Sequence, residues 1–255
     1  MDESKFKELY DIVKTLRVKC PWDKEQTNDS IKANTLEEAY EVVDAIDNND
    51  YEELKKELGD LALHVVFHSI IAEEKNEFTL DDVFDSINEK LIRRHPHVFG
   101  DVKADNAEEV KKNWEAIKLT EGRKSVLDGI PENFPSLLKA YRLQEKASKV
   151  GFDWKKKEDV WEKVVEEIHE MQNSEKSETL DELETEIGDV FFALINYARF
   201  VGVNPENALR RTNNKFIKRF QYIEEKINES GRQINESNLE EMDKYWEESK
   251  KQLKI

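Results

Sequence analysis

The stretch Leu54-Lys55-Lys56-Glu57-Leu58-Gly59-Asp60-Leu61 returns 129 positions later as Leu183-Glu184-Thr185-Glu186-Ile187-Gly188-Asp189-Val190. At the same offset Glu37-Glu38-Ala39-Tyr40-Glu41 lies over Glu166-Glu167-Ile168-His169-Glu170. Downstream, Asn88 to Arg94 aligns with Asn213 to Arg219 at an offset of 125, and Trp114-Glu115 with Trp246-Glu247 at 132. Four blocks in one order with nearly constant spacing mark a duplication, which predicts two related domains. Turn chemistry in Ser125-Val126-Leu127-Asp128-Gly129-Ile130-Pro131 follows a charged helix and divides the chain into residues 1–122 and 123–255.

Both domains read as helical. Gly (8) and Pro (5) make up about 5% of 255 residues, against a usual ~12%. A chain so poor in turn formers consists of long helices joined by short links. Phe6, Leu9, Tyr10, Val13 and Leu16 form the apolar stripe of a first helix. Thr35 with Glu38 is the expected capping box of a second, which Asn48-Asn49-Asp50 ends. A long helix follows from Tyr51 to about Glu73, its buried stripe expected at Leu54, Leu58, Leu61 and Val65 and, in the repeat, at Leu183, Ile187, Val190 and Leu194. Thr79 with Asp82 opens a fourth helix that Pro96 stops, and Asn204-Pro205 opens its counterpart. The fold class expected is all-α, two tandem helical bundles.

With 57 acidic residues in the chain, acidic pairs three apart arise about a dozen times by chance, and most are solvated faces. Glu57 with Asp60, and Glu186 with Asp189, differ because each pair borders an apolar stripe and recurs in both halves. Residues three apart share a helix face, so each pair presents two carboxylates together. Glu38 with Glu41, and Glu167 with Glu170, form the second set. Capping does not explain its recurrence, because the position matching Thr35 is Val164. A short turn between the two helices lets four carboxylates converge, an arrangement that hard divalent cations stabilise. All-oxygen ligation without a repeated His or Cys points to Mg²⁺, with Mn²⁺ as the alternative. Gly59 and Gly188, beside the acids, are expected to admit a helix or ligand at close range.

A cationic and aromatic block lies downstream of each acidic set. Lys90 and Arg94, next to Arg93, share a helix face, and Lys215 and Arg219 repeat the spacing. Each block suits phosphates bound through a metal. Trp114 and Trp246 suit either a base or the core. His95 and His97 have no counterpart in the second half and are assigned no role. The net charge of −17 argues against a nucleic-acid polymer as partner. A single cysteine, Cys20, fits a reducing compartment. Met1-Asp2-Glu3-Ser4 does not open a signal peptide, and no run approaches 18 apolar residues, so a cytoplasmic location without a membrane span is expected.

The series Cys20-Pro21-Trp22-Asp23-Lys24-Glu25-Gln26-Thr27, Glu37 to Glu41, Glu57-Leu58-Gly59-Asp60 and Arg93-Arg94-His95-Pro96-His97-Val98-Phe99 closely resembles the MazG family. Val150-Gly151-Phe152-Asp153-Trp154, Glu166 to Glu170, Glu186 to Asp189 and Asn213 to Arg219 extend the resemblance over nearly the whole chain. It implies the all-α NTP pyrophosphatase fold and an enzyme that cleaves nucleoside triphosphates between the α and β phosphates, giving nucleoside monophosphate and pyrophosphate. It also implies a homodimer whose sites can draw on both chains. By the same resemblance Mg²⁺ falls to Glu38, Glu41, Glu57 and Asp60, and to Glu167, Glu170, Glu186 and Asp189. The nucleotide falls to Lys163, Lys215 to Arg219 and Trp246. The chain departs from the pattern at Glu182, where the C-terminal family domain carries a lysine, and at Asn34, the counterpart of Lys163. A metal-stabilised helical adaptor without activity, and a narrower dUTPase-like enzyme, stay open as alternatives.

Overall fold

Short polar links between long amphipathic runs set the architecture. The computed structural model describes residues 3–106, 109–110, 113–114, 117, 125–177 and 179–253, and among these every regular element is helical. The chain divides into two compact units, Met1–Trp114 and Glu115–Ile255. The expected boundary at 122/123 lies outside the described residues.

Unit 1 contains α1 (Glu3–Lys19), α2 (Pro21–Glu25), α3 (Lys32–Asn48), α4 (Tyr51–Glu74), α5 (Leu80–Arg94) and α6 (Pro96–Phe99). Between α3 and α4, Asn49 takes the left-handed conformation at φ 56°, which Asn tolerates better than most residues. Asp50 then caps α4 by accepting from the backbone N–H of Glu52 and Glu53. The link is short, so α4 packs back along α3. The Thr79–Asp82 capping box opens α5, and Pro96 follows its end.

Two expectations fail here. Thr35 does not cap α3, which begins three residues earlier. Thr27 and Ser30 exchange backbone-to-hydroxyl hydrogen bonds at 2.9 and 3.1 Å and launch the helix from Ile31. The stripe Leu54–Val65 is not the buried one: Leu58 is 51% and Val65 41% exposed. Unit 1 instead builds its core from Val13, Ile31, Val66, Phe67, Ile70, Ile71 and Leu80, with Phe6, Leu9, Tyr10 and Leu63 packed against it. The helix is rotated so that Glu57 turns inward.

Unit 2 contains α7 (Ser136–Ser148), α8 (Lys157–Ser177), α9 (Leu180–Phe200), α10 (Pro205–Glu229), a 3₁₀ turn (Ile234–Glu236) and α11 (Leu239–Gln252). α8 and α9 pair as α3 and α4 do, α7 packs on α9 and α10, and α11 packs on α10. Val190 of the expected stripe is buried, whereas Ile187 and Leu194 are exposed. Asn204 caps α10 with Pro205 in its first turn. Glu182 closes the Thr179 capping box of α9, which gives this departure from the family pattern a local use. Among the described residues no helix is long and apolar enough to cross a membrane.

Arg17 ties the pieces of unit 1 together. Its side chain is 7% exposed, forms a two-point pair with Glu74 of α4, and donates to the carbonyls of Asp23 and Gln26. Its guanidinium also lies 5.6 Å from the centre of the Phe67 ring. Arg17→Met keeps the apolar stem but strands these acceptors. It should lower unfolding free energy by about 2–3 kcal/mol, read as a reduced urea midpoint at unchanged slope. A wild-type midpoint would show that Arg17 is not a structural tie.

Candidate metal centres and an adjoining cavity

The helix pairs bring acids together in both units. On α3, Glu38 and Glu41 lie one turn apart and face α4, which supplies Glu57. One carboxylate oxygen of each lies within 4.8 Å of the others. Glu57 is only 7% exposed, and its pKa is pushed from 4.5 to about 7 by burial first, then by Glu53 and Glu41. Burial also raises the Glu38 pKa, with the charges of Asp60, Glu41 and Glu37 adding to it. Asp60 therefore stands beside Glu38, outside the tight group of three. Such a trio of hard oxygen donors, its charged form disfavoured by its own geometry, fits a divalent cation.

In unit 2 the tight group is Glu167, Glu186 and Asp189, again within 4.8 Å. Glu170 is exposed and does not belong to it. Lys163 adds a cation where unit 1 has Asn34: its Nζ lies 2.7 Å from Glu167 and 3.0 Å from Glu166. These two carboxylates raise the lysine pKa, so the ammonium stays charged. A cavity of 710 Å³ opens at this group, with Lys163, Glu167 and Asp189 on its wall.

The other predicted residues are placed elsewhere. Arg219 stacks over Trp246 at 5.5 Å from the ring centre, and Phe216 packs on the same ring at 5.3 Å. The Arg219 Nε is buried with no hydrogen-bond partner. Neither these residues nor Lys215 line the cavity. In unit 1 Lys90 borders a shallow groove with Phe78 and Asp82. Arg93 is exposed and Arg94 half-buried on the same helix, and Trp114 lies 6.1 Å from His95, ring to ring. Among the described residues no helix makes the close approach expected at Gly59 and Gly188: a Cβ at either would meet nothing within 4 Å.

Two histidines escaped the sequence reading. Thr35 contacts His64 Nδ1 at 3.0 Å and His68 Nε2 at 2.8 Å, and His68 Nδ1 meets Asn28 Oδ1 at 2.8 Å. His64 Nε2 in turn lies 3.9 Å from Glu38. Burial lowers the pKa of both rings. Their i, i+4 spacing on α4 was the available signal. It was missed because the repeat has no histidine at the matching positions, Ala193 and Tyr197.

Comparison with known proteins follows the same duplication. The model of the MazG nucleotide pyrophosphohydrolase domain matches residues 26–99 and 155–224. The nucleoside triphosphate pyrophosphohydrolase/pyrophosphatase MazG of Thermotoga maritima is 45% identical over 250 residues, covering 96% of this chain and 95% of that protein. The nucleoside triphosphate pyrophosphohydrolase of Escherichia coli K12 is 43% identical over 239 residues, covering 91% of each. YabN of Bacillus subtilis is 48% identical over 236 residues, covering 91% of this chain and 48% of that protein.

The raised Glu57 pKa has a definite sign. A carboxyl with a folded-state pKa above its unfolded value favours folding at low pH, and that contribution disappears as pH rises through the window from 4.5 to about 7. Without metal, Glu57→Gln should therefore melt above the wild type at pH 8, and the difference should close as pH falls toward 4.5. Protons and cations compete for the same oxygens, so Mg²⁺ should raise the wild-type Tm more at pH 8 than at pH 5. A Tm insensitive to Mg²⁺ at both pH values would remove the metal assignment.

Proposed function

This chain belongs to the MazG nucleotide pyrophosphohydrolase family, and on that premise we propose that it hydrolyses nucleoside triphosphates between the α and β phosphates. The products are nucleoside monophosphate and pyrophosphate. The observation that carries this reading is the acidic trio of unit 2, two of whose members, Glu167 and Asp189, lie with Lys163 on the wall of a cavity large enough for a nucleotide.

Mg²⁺ is the proposed cofactor, with Mn²⁺ as a substitute, held by Glu167, Glu186 and Asp189, and in unit 1 by Glu38, Glu41 and Glu57 with Asp60 beside them. When bound it would neutralise phosphate charge and lower the pKa of water nearby. The remaining work falls to the chain. Lys163, kept charged by Glu166 and Glu167, places an ammonium where a triphosphate enters. Water adds to the α-phosphorus in line with the departing bridging oxygen, which leaves with pyrophosphate. Glu166, 54% exposed beside the trio, accepts the proton of that water. Lys215 and Arg219 suit the leaving pyrophosphate, and the unpaired Nε of Arg219 supports an anion there.

A homodimer brings such a block to the cavity. Leu36, Leu58 and Val65 in unit 1, and their repeat partners Val165, Ile187 and Leu194, are all exposed. Among the described residues the same apolar face is thus exposed on both helix pairs, which supports a surface that meets a second copy.

Hydrolysis in ¹⁸O-labelled water should place the label in the nucleoside monophosphate, whereas label in orthophosphate would mean attack at the terminal phosphorus. Asp189→Asn should cut turnover by about 100-fold or more while Asp60→Asn stays within about twofold, because the cavity adjoins unit 2's acids. Equal losses would give both units a share in the chemistry. Leu194→Asp should convert a sedimenting species of twice the chain mass into a monomer of reduced activity; an unchanged mass would place the interface elsewhere.

A further inference from the structure

The segment between α7 and α8 lines the 710 Å³ cavity with Gly151, Phe152, Asp153 and Trp154. The end of α7 fixes the front of this segment. Gly151 is left-handed at φ 88° and donates to the Ser148 carbonyl at 3.0 Å, and Phe152 donates to the Ala147 carbonyl at 3.2 Å. These two bonds close the helix C-terminus. An apolar residue at the Phe152 position of such a turn frequently folds back on the helix that it ends. Phe152 is 83% exposed instead, so the turn alone does not hold the segment down.

The hold comes one residue later. Asp153 forms a two-point pair with Arg199, near the end of α9: Nη1 donates to Oδ2 at 3.0 Å and Nη2 to Oδ1. Oδ1 also accepts the Trp154 backbone N–H at 2.9 Å. The Arg199 Nε donates to Asn196 Oδ1 at 3.0 Å, so every guanidinium nitrogen is engaged and the fork has one orientation. The arginine side chain is 11% and the aspartate 27% exposed, which limits the solvent screening that weakens surface pairs. Asp189 and Arg199 are the first and last residues that α9 gives to the cavity, roughly 15 Å apart along the helix axis.

Unit 1 makes the same kind of tie with the partners exchanged. There Arg17 of α1 pairs with Glu74 of α4 and also donates to the carbonyls of Asp23 and Gln26, in the segment leading to α3. Unit 2 has Val203 at the position matching Glu74, and it carries the arginine on the helix and the carboxylate on the segment. In each unit an arginine–carboxylate pair thus helps to join the chain ahead of the first acid-bearing helix to the second. In unit 2 the pinned segment is also a cavity wall.

We propose that Asp153 and Arg199 are positioning residues for the substrate, holding the wall formed by residues 151–154 in place before a nucleotide enters. The inference rests on the function proposed above and adds to it a pair that stands away from the acids. Arg199 is not placed as a phosphate ligand, because each of its nitrogens already has a partner. A wall that is already ordered need not be ordered on binding, so the pair favours substrate capture and leaves the chemical step alone.

A double-mutant cycle on the full chain tests this, with ATP and Mg²⁺ and pyrophosphate release as the readout. Asp153→Asn and Arg199→Gln should each raise KM by about five- to tenfold with kcat within about twofold. The double variant should be no worse than either, because the same pair is lost in all three. Arg199→Lys, which keeps the charge without the fork, should recover part of the KM. Circular dichroism verifies that each variant is folded, and Asp153→Asn with Arg199→Lys carries the test should Arg199→Gln not fold. A wild-type KM in folded variants would reduce the pair to a staple of the fold and overturn the proposal. So would a fall in kcat that matches the rise in KM, or single effects that multiply in the double variant, since each residue would then act on the substrate by itself. If the wild type releases no pyrophosphate from any nucleotide, the proposed function falls and the wall is judged by binding. Calorimetry with α,β-methylene-ATP in Mg²⁺ should then show the same non-additive loss, and equal or absent binding in all the proteins overturns the assignment.

Discussion

Repulsion among carboxylates forced together by an antiparallel helix pair is the constraint around which this protein is arranged. Each α3–α4 or α8–α9 pair carries acids on its facing sides, and the short link leaves them no room to separate. The cost is visible at Glu57, whose pKa burial and the neighbouring acids push up to about 7. Everything that holds the pair together therefore works against its charge: the Asp50 cap, the left-handed Asn49, the core behind α4 and the Arg17 tie. A site of this kind is prepared for a cation because the fold, not the cation, meets the expense of assembling it.

The two copies manage the strain differently. Unit 2 sets Lys163 against Glu167, so part of the negative charge is offset within the helix itself. Unit 1 has Asn34 there, and burial with neighbouring acids raises the Glu38 pKa instead. Behind the acids the copies diverge further. Leu63, Phe67 and Ile70 pack into or against a closed core in unit 1, whereas Phe192, Asn196 and Arg199 border an open cavity in unit 2. Duplication supplied one scaffold, and side-chain exchanges on a single helix give its matching positions a core role in unit 1 and a place on a cavity wall in unit 2.

Much of this was legible from residues. Capping at Thr79 and Asn204 and the break at Asn48 to Asp50 are local chemistry, and local chemistry is written in neighbouring positions. The capping assigned to Thr35 was mistaken because Thr27 and Ser30 offered a better reciprocal pair just upstream. The stripe assigned to Leu54, Leu58, Leu61 and Val65 was mistaken for a different reason. On a helix with apolar residues on more than one side, periodicity reports that a face is apolar, not which neighbour covers it. The same ambiguity hid His64 and His68, whose roles depend on contacts with another helix.

The sequence alone determined the duplication, the helical class, the helix ends marked at Asp50, Thr79 and Asn204, and the two acidic sets, because each follows from spacing along the chain. Which acids actually meet was decided only in three dimensions: Glu57 joins Glu38 and Glu41, Asp60 stands beside them, and Glu170 remains outside its own cluster. The cavity beside Lys163 and the pairing of Asp153 with Arg199 were likewise decided by packing. Helix rotation is the physical reason. A turn of a few tens of degrees leaves every local signal intact, yet it exchanges which side chains face a neighbouring helix and which face solvent.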